Sequence, residues 1–277
     1  MTRFPIWRLA GAAVGLALLD AVAFEPSRLR VQRLMVPSAG SGSRKASLRL
    51  AQLSDLHVGG RGWRHDVLAR AIDVCNREDV DAIVITGDLI GSEAGADEVL
   101  RAIALLRSDV PRLVVFGNHD HVHGGRALAH LGRGLDRLGM AVLRNDVVRL
   151  ELPAGPVWFA GVDDGYSMRD RLELVREKMA GVTEPRILLT HYPDVADRLR
   201  SGEFQLSLAG HSHGGQIRMP IVDTLVCNSH ARTRYARGLY IVNENPLYVS
   251  AGLGMSGVPM RFRNWPEMSL IYVPLIY

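Results

Sequence analysis

Apolar runs and amphipathic segments alternate along this chain in a steady order, and most of the early apolar runs close on polar residues. "LRLAQLSDLHV" (48–58) has the period-2 alternation of a half-buried strand and ends in Asp and His. "RHDVLARAIDVCN" then shows helical spacing. "DAIVITGDLI" (81–90) reads as a buried strand ending in Gly-Asp, and "ADEVLRAIALLRS" as a helix. "RLVVFGNHD" (112–120) is a third strand with a polar tip, followed by a Gly-stopped helix in "GGRALAHLGRGLDRLG". Strands at "VVRLEL" and "VWFAGVDD", a helix around Met168–Met179, and strands at "RILLTHYPD" (186–194) and "QLSLAGHSHGG" (205–215) continue the pattern. "GLYIVN", "LYVSAG" and "MSLIYV" close the chain as strands. Helices alternate with strands in the first half, and strands dominate the second. That predicts an α/β fold, with two mixed sheets packed face to face and helices outside.

The N-terminus departs from this beat. After Arg3 and Arg8, "LAGAAVGLALL" (9–19) carries no charge, and Asp20 interrupts before "AVAF". An uninterrupted span needs about 20 apolar residues. One reading is a signal segment with Ala21–Ala23 as an A-x-A cleavage site. The other is a retained anchor with Asp20 near the headgroups. Arg28, Arg30, Arg33, Arg44 and Lys45 outnumber Arg3 and Arg8. This favours an anchor in the inner membrane with the main domain on its cytoplasmic side, export to the cell envelope being the alternative. "PSAGSGSRK" (37–45) reads as a small-residue linker. The expected division is anchor or signal at 1–24, linker at 25–46 and a catalytic domain at 47–277.

Composition narrows the classes. The 277 residues are 47% hydrophobic and 22% charged, which suits a globular core. Net charge is only +4, Lys occurs just at Lys45 and Lys178, and no basic helix or aromatic-laced basic stripe appears. Nucleic acid is therefore not an expected partner. Cys75 and Cys227 would allow one disulfide but not a thiolate metal site.

The polar strand tips carry the chemistry. Asp55, His57, Asp88, Asn118, His191, His211 and His213 supply neutral imidazoles, carboxylates and an amide oxygen. Two divalent ions about 3.5–4 Å apart need that inventory, with one carboxylate shared. Asp-x-His at a strand end would aim both side chains at one ion, since i and i+2 face the same side; His211 and His213 satisfy the same geometry or bend to serve one ion each. Ligands of α/β sheets gather at strand carboxyl ends, so five such tips would converge. No soft ligand is present, so Mn²⁺, Fe or Zn²⁺ suit the donor set.

"SDLHVG", "GDLI", "GNHD", "THYPD" and "GHSHGGQ" resemble, motif by motif and in order, the calcineurin-like metallophosphoesterases over about residues 47–275. "GHSHGGQIRMP", "YARGLY", "SAGLGMSGVPMRF" and "PEMSL" are similar to a branch of membrane-associated bacterial phosphodiesterases that includes hydrolases of UDP-2,3-diacylglucosamine in lipid A synthesis. The resemblance implies the family's four-layer sandwich and a phosphodiester or nucleotide-lipid substrate. It implies that Asp55, His57, Asp88 and His213 hold one ion, Asp88, Asn118, His191 and His211 the other, and Mn²⁺ as the metal. A water shared by both ions would then attack phosphorus in line. His119 would face the phosphate or protonate the leaving oxygen, with Asp120 orienting it, and Arg261 would contact a substrate phosphate. His121 and His123 match no ligand position. Two further readings stand beside this one: a cell-envelope or wall-polymer phosphodiesterase, and a non-catalytic metal-stabilised membrane scaffold.

Overall fold

A computed structural model describes residues 6–37, 44–219, 223–224 and 234–276. Helix α1 (Ile6–Leu19) runs on through a π turn at Asp20–Phe24 and a 3-10 turn at Glu25–Ser27. Then follow β1 (Arg30–Met35), β2 (Arg44–Leu53), α2 (His65–Arg77), β3 (Ala82–Thr86), α3 (Gly95–Ile103), β4 (Arg112–Val115) and α4 (Asn118–Val122). After them come α5 (Gly125–Arg137), β5 (Ala141–Val142), β6 (Asp146–Leu152), β7 (Gly155–Gly161), α6 (Leu172–Lys178), β8 (Arg186–Leu189) and β9 (Leu206–Ala209). Short β10 (Arg218–Met219) and β11 (Asp223–Thr224) pair with each other, and β12 (Gly238–Val242), β13 (Asn245–Val249) and β14 (Glu267–Ile276) complete the chain.

Two six-stranded sheets result, ordered β1-β14-β2-β3-β4-β5 and β12-β13-β9-β8-β7-β6. Strand alternation builds the layers. Leu48, Leu50, Ala82, Val84, Leu113 and Val115 point from the first sheet into the space between the sheets. There they meet Val157, Phe159, Ile187, Leu189, Leu206 and Leu208 of the second. Their chain neighbours Ala51, Ile83, Ile85 and Val114 point the other way and pack under α2, α3 and α5. Leu188 and Ala209 do the same for the second sheet, under α6 and the 3-10 turn at Pro193–Arg198. This is the expected sandwich of two mixed sheets between helical layers.

Strands β2, β3 and β4 are mutually parallel, as are β7, β8 and β9, so their carboxyl ends align along two edges. Gln52 ties those edges together. Its buried amide donates to Thr86 Oγ1 at 2.9 Å in its own sheet and to the Ala209 carbonyl at 3.0 Å in the other.

The span 25–46 is more than a linker. β1 within it pairs with β14 from Arg30↔Glu267 to Met35↔Tyr272. Val36 joins the core between the sheets, and buried Glu25 accepts a hydrogen bond from the Asn264 N–H. Sequence periodicity could not show this, because β1 is a half-exposed strand rich in arginine. The expected small-residue linker falls largely on 38–43, outside the described residues. Cys75 is buried in the helical core layer, and burial pushes its thiol up to about 12. Cys227, the other half of the one disulfide the sequence would allow, lies outside the described residues.

Candidate metal centre

The aligned strand ends bring seven ligand-type side chains together. Asp55 and His57 follow β2, Asp88 follows β3, Asn118 opens α4, His191 follows β8, and His211 and His213 follow β9. Asp55, His57, Asp88 and His213 are buried, with ligand atoms all within 4.8 Å of one another. His57 Nε2 lies 3.1 Å from His213 Nε2 and 3.3 Å from Asp88 Oδ2, while His213 Nε2 is 3.5 Å from Asp55 Oδ1. A second group adjoins the first. His191 Nε2 lies 3.3 Å from Asp88 Oδ2 and 3.3 Å from His211 Nδ1, which is 3.0 Å from Asn118 Oδ1. One carboxylate oxygen, Asp88 Oδ2, thus stands between a histidine of each group.

These distances fit divalent cations. Two imidazole nitrogens facing each other at 3.1 or 3.3 Å can share only one proton between them. A cation lets every nitrogen present its lone pair, and the carboxylates balance its charge. The donors are nitrogen and oxygen with no thiolate, the set for Mn²⁺, Fe or Zn²⁺. Outer contacts hold the rings and carboxylates in place. His191 Nδ1 is 2.8 Å from the Thr86 carbonyl, Ser54 Oγ donates to Asp55 Oδ2 at 2.6 Å, and the His211 N–H donates to Asp55 Oδ1 at 3.0 Å.

The backbone delivers these groups by a route that strand alternation does not describe. β2 ends at Leu53, before Asp55 and His57. Asp55, His57, Asp88, His211 and His213 all adopt left-handed backbone, with φ of 50°, 47°, 52°, 70° and 51°. A side chain in that region costs on the order of 1–3 kcal/mol and persists where surrounding contacts enforce it. Left-handed turns, not strand alternation, thus aim these side chains: Asp55 and His57 still join one group, and His211 and His213 bend to serve one group each. His213 joins the first group and His211 the second, because the turn after β9 splits them.

Two glycines leave room for the ligands. A Cβ on Gly87 would meet the His191 ring at 2.5 Å, and one on Gly117 would meet Asp88 Oδ1 at 2.2 Å. Gly117→Ala is expected to displace the Asp88 carboxylate and lower turnover by about 10²-fold, the usual cost of a misplacement near 1 Å. Steady-state kinetics with metal analysis checks this: reduced metal occupancy should accompany the loss.

His119 lies at the mouth, half-buried. Its N–H donates to Asp88 Oδ1 at 2.8 Å, and its ring stands edge-on to His57 at 4.6 Å. Its Nε2 is 3.3 Å from Ser256 Oγ. Ser256 escaped the sequence reading. Its only signal was its place in the Gly- and Ser-rich "SAGLGMSG".

Asp120 has a different task from the one expected. Its Oδ1 accepts the Leu89 and Ile90 N–H groups at 2.8 and 3.2 Å, and its Oδ2 accepts the Gly117 N–H at 2.9 Å. Both oxygens are thus spent on joining the loop after β3 to the loop after β4, which leaves His119 to Ser256. Burial, with Asp88 nearby, pushes the Asp120 carboxyl up to about 7.

Arg261 is also placed otherwise. It is 0% exposed, and its guanidinium donates to the carbonyls of Ala251, Gly252 and Gly254 at 2.9, 2.9 and 2.6 Å and to those of Asn264 and Trp265. Burial pushes it down to about 10. It organises the loop behind Asp55 instead of meeting a phosphate. Arg261→Met is expected to strand those carbonyls and destabilise the fold by about 3 kcal/mol or more. Thermal denaturation checks this. An unchanged midpoint with a raised KM would restore the substrate role.

The remaining candidates sort by their contacts. His121 Nε2 lies 2.7 Å from Asp163 Oδ1, a residue of neither ligand group. His123 Nε2 is buried with no hydrogen-bond partner among the described residues. Of three aromatic side chains with the size to line a pocket, Tyr192 is buried edge-on to His211 at 5.1 Å, Trp63 packs on the helical core layer, and Trp265 is partly exposed.

Residues 48–215 match the family of calcineurin-like phosphoesterases. The chain belongs to that family. Among its relatives, the phosphoesterase is 31% identical over 229 residues to the uncharacterized metallophosphoesterase YkoQ of Bacillus subtilis, covering 81% of this chain and 83% of YkoQ. It is 27% identical to the phosphodiesterase YaeI of Escherichia coli, over 82% of each chain. It is 31% identical to a transmembrane protein with a metallophosphoesterase domain from Danio rerio, over 81% of this chain and 52% of that one. The phosphoesterase is thus a metal-dependent enzyme of phosphoester chemistry, and the Asp/His cluster is its candidate centre.

Proposed function

We propose that the chain is a membrane-tethered phosphodiester or pyrophosphate hydrolase with a binuclear centre. The observation that carries this reading is the gathering of six other ligand-type side chains around one carboxylate, that of Asp88. Asp55, His57, Asp88 and His213 would hold one ion, and Asp88, Asn118, His191 and His211 the other, with Mn²⁺ the favoured metal. When bound, such a pair supplies positive charge at the phosphoryl oxygens and a nucleophile at neutral pH. His119 faces the mouth, with Ser256 steadying its imidazole, and there meets the phosphate or hands a proton to the leaving oxygen. Asp120 and Arg261 hold the loops that position these groups.

The N-terminal helix supports a membrane site of action. A window of 18 residues, Ala10–Ser27, reaches a mean hydropathy of 1.3, with Leu16, Leu18 and Leu19 exposed. The stretch that would serve as a cleavage site is docked on the domain: the Ala21 carbonyl accepts the Arg261 N–H and the Val22 carbonyl accepts Arg64. Both contacts favour retention over cleavage. The relative named as a transmembrane protein points the same way, and the one named a phosphodiesterase favours diester substrates. A lipid-linked substrate fits a tethered enzyme, and UDP-2,3-diacylglucosamine is the leading candidate, with the domain on the cytoplasmic side. A wall-polymer diester is the second reading and would place the domain outside.

The test offers full-length protein with Mn²⁺ both UDP-2,3-diacylglucosamine and a generic phosphodiester, with products identified by mass. UMP and an acylated sugar phosphate are expected. Cleavage of the generic diester alone would remove the lipid assignment and keep the chemistry.

A further inference from the structure

Strand register fixes where the apolar helix leaves the domain. β14 runs antiparallel to β2 and pairs Ser269 with Gln52, so it begins at the edge where β2 delivers Asp55 and His57. β1 runs parallel to β14 and pairs Arg30 with Glu267, so it begins at that same edge. The helical segment preceding β1 therefore emerges beside the metal centre. Side-chain and backbone contacts agree. The Arg261 N–H donates to the Ala21 carbonyl at 2.9 Å, and the guanidinium of that residue clamps the carbonyls of Ala251, Gly252 and Gly254. Ser256, two residues beyond this clamp, reaches His119 at 3.3 Å. One short loop thus connects the last turn of the helix with the imidazole at the site mouth.

This edge also presents a collar of apolar and cationic groups. Phe24, Val258 and Trp265 are 54%, 45% and 43% exposed. The Arg28 guanidinium lies 5.9 Å from the Trp265 ring centroid and pairs with Asp20 at 3.2 Å. Arg61 and Arg263 are exposed on the loops alongside. Tryptophan beside arginine is the side-chain chemistry of the headgroup layer, where an apolar ring and a cation are both satisfied. Arginines near an anionic leaflet add attraction over about a Debye length.

We propose that Phe24, Arg28, Arg61, Val258, Arg263 and Trp265 seat the domain on an anionic phospholipid surface, with the metal centre opening toward the headgroup plane. The proposal rests on the reading of the N-terminal helix as a membrane span. It adds an orientation to the tether: a phosphoester in the headgroup layer would reach the centre without its acyl chains entering water.

The experiment places an environment-sensitive label on single cysteines of the full chain, with Cys227 replaced by Ser and Cys75 kept because it is buried. The protein is reconstituted in vesicles of phosphatidylglycerol and phosphatidylcholine containing a shallow doxyl-lipid quencher. Val258→Cys and Arg263→Cys report on the collar. Leu105→Cys, 68% exposed just beyond the far end of α3, is the control. Both collar labels should lose most of their fluorescence, while the Leu105→Cys label stays bright. Equal signals at the collar and at Leu105, in protein that carbonate cannot wash off, would overturn the seating and leave the span standing. Protein released by carbonate would overturn the span and the seating with it. Equal collar quenching in purely zwitterionic vesicles would overturn the anionic surface.

Discussion

Asp88→Asn is expected to lower turnover by about 10³-fold or more and to weaken retention of both metal ions. Asp88 Oδ2 lies 3.3 Å from a histidine of each ligand group. The substitution keeps the shape of the side chain and removes its charge. Two cations held close together repel each other, and a shared anion offsets that repulsion for both. Bound ions would supply several kcal/mol of charge stabilisation to the reaction, and about 4 kcal/mol corresponds to roughly 10³ in rate. The other Asp88 oxygen accepts the His119 N–H at 2.8 Å, and an amide oxygen can still accept that bond. The fold should therefore persist while metal and rate fall. Single-turnover kinetics with elemental analysis of the purified variant checks this. A variant that keeps full metal and loses only rate would move the shared position to another residue.

His119→Ala is expected to behave in the opposite way, with metal content unchanged and the rate down by about 10²–10⁴-fold, the usual weight of a positioned acid or base. The reason lies in which atoms of His119 touch the centre. Its main-chain N–H bonds Asp88, and alanine keeps that bond. Its ring reaches outward to Ser256 and stands edge-on to His57. Truncation therefore clears a group from the mouth and leaves the ligand groups intact. A substrate with a good leaving group should recover much of the rate if the imidazole donates a proton. A variant that arrives without metal would make His119 a ligand and refute this assignment.

The sequence located the centre better than it described it. All seven ligand-type residues lie just past apolar runs, and hydrophobic periodicity finds such runs. How they point was not legible. Asp55, His57, Asp88, His211 and His213 take left-handed backbone that no propensity assigns to Asp or His, and the loops of the whole fold enforce it. Asp120 and Arg261 show the same limit. The carboxylate of Asp120 and the guanidinium of Arg261 suit a catalytic role and a phosphate contact, yet both serve backbone groups brought near only by tertiary structure. β1 was hidden because Arg30 and Arg33 mask the strand, and its pairing partner lies at the far end of the chain.

The central claim is that two cations share Asp88. The most direct measurement is a Mn²⁺ titration of the full-length protein followed by electron paramagnetic resonance. The account predicts saturation at two ions per chain and a spin-coupled signal at full loading that Asp88→Asn abolishes. Saturation at one ion, or two ions giving only the spectrum of isolated Mn²⁺, would contradict it.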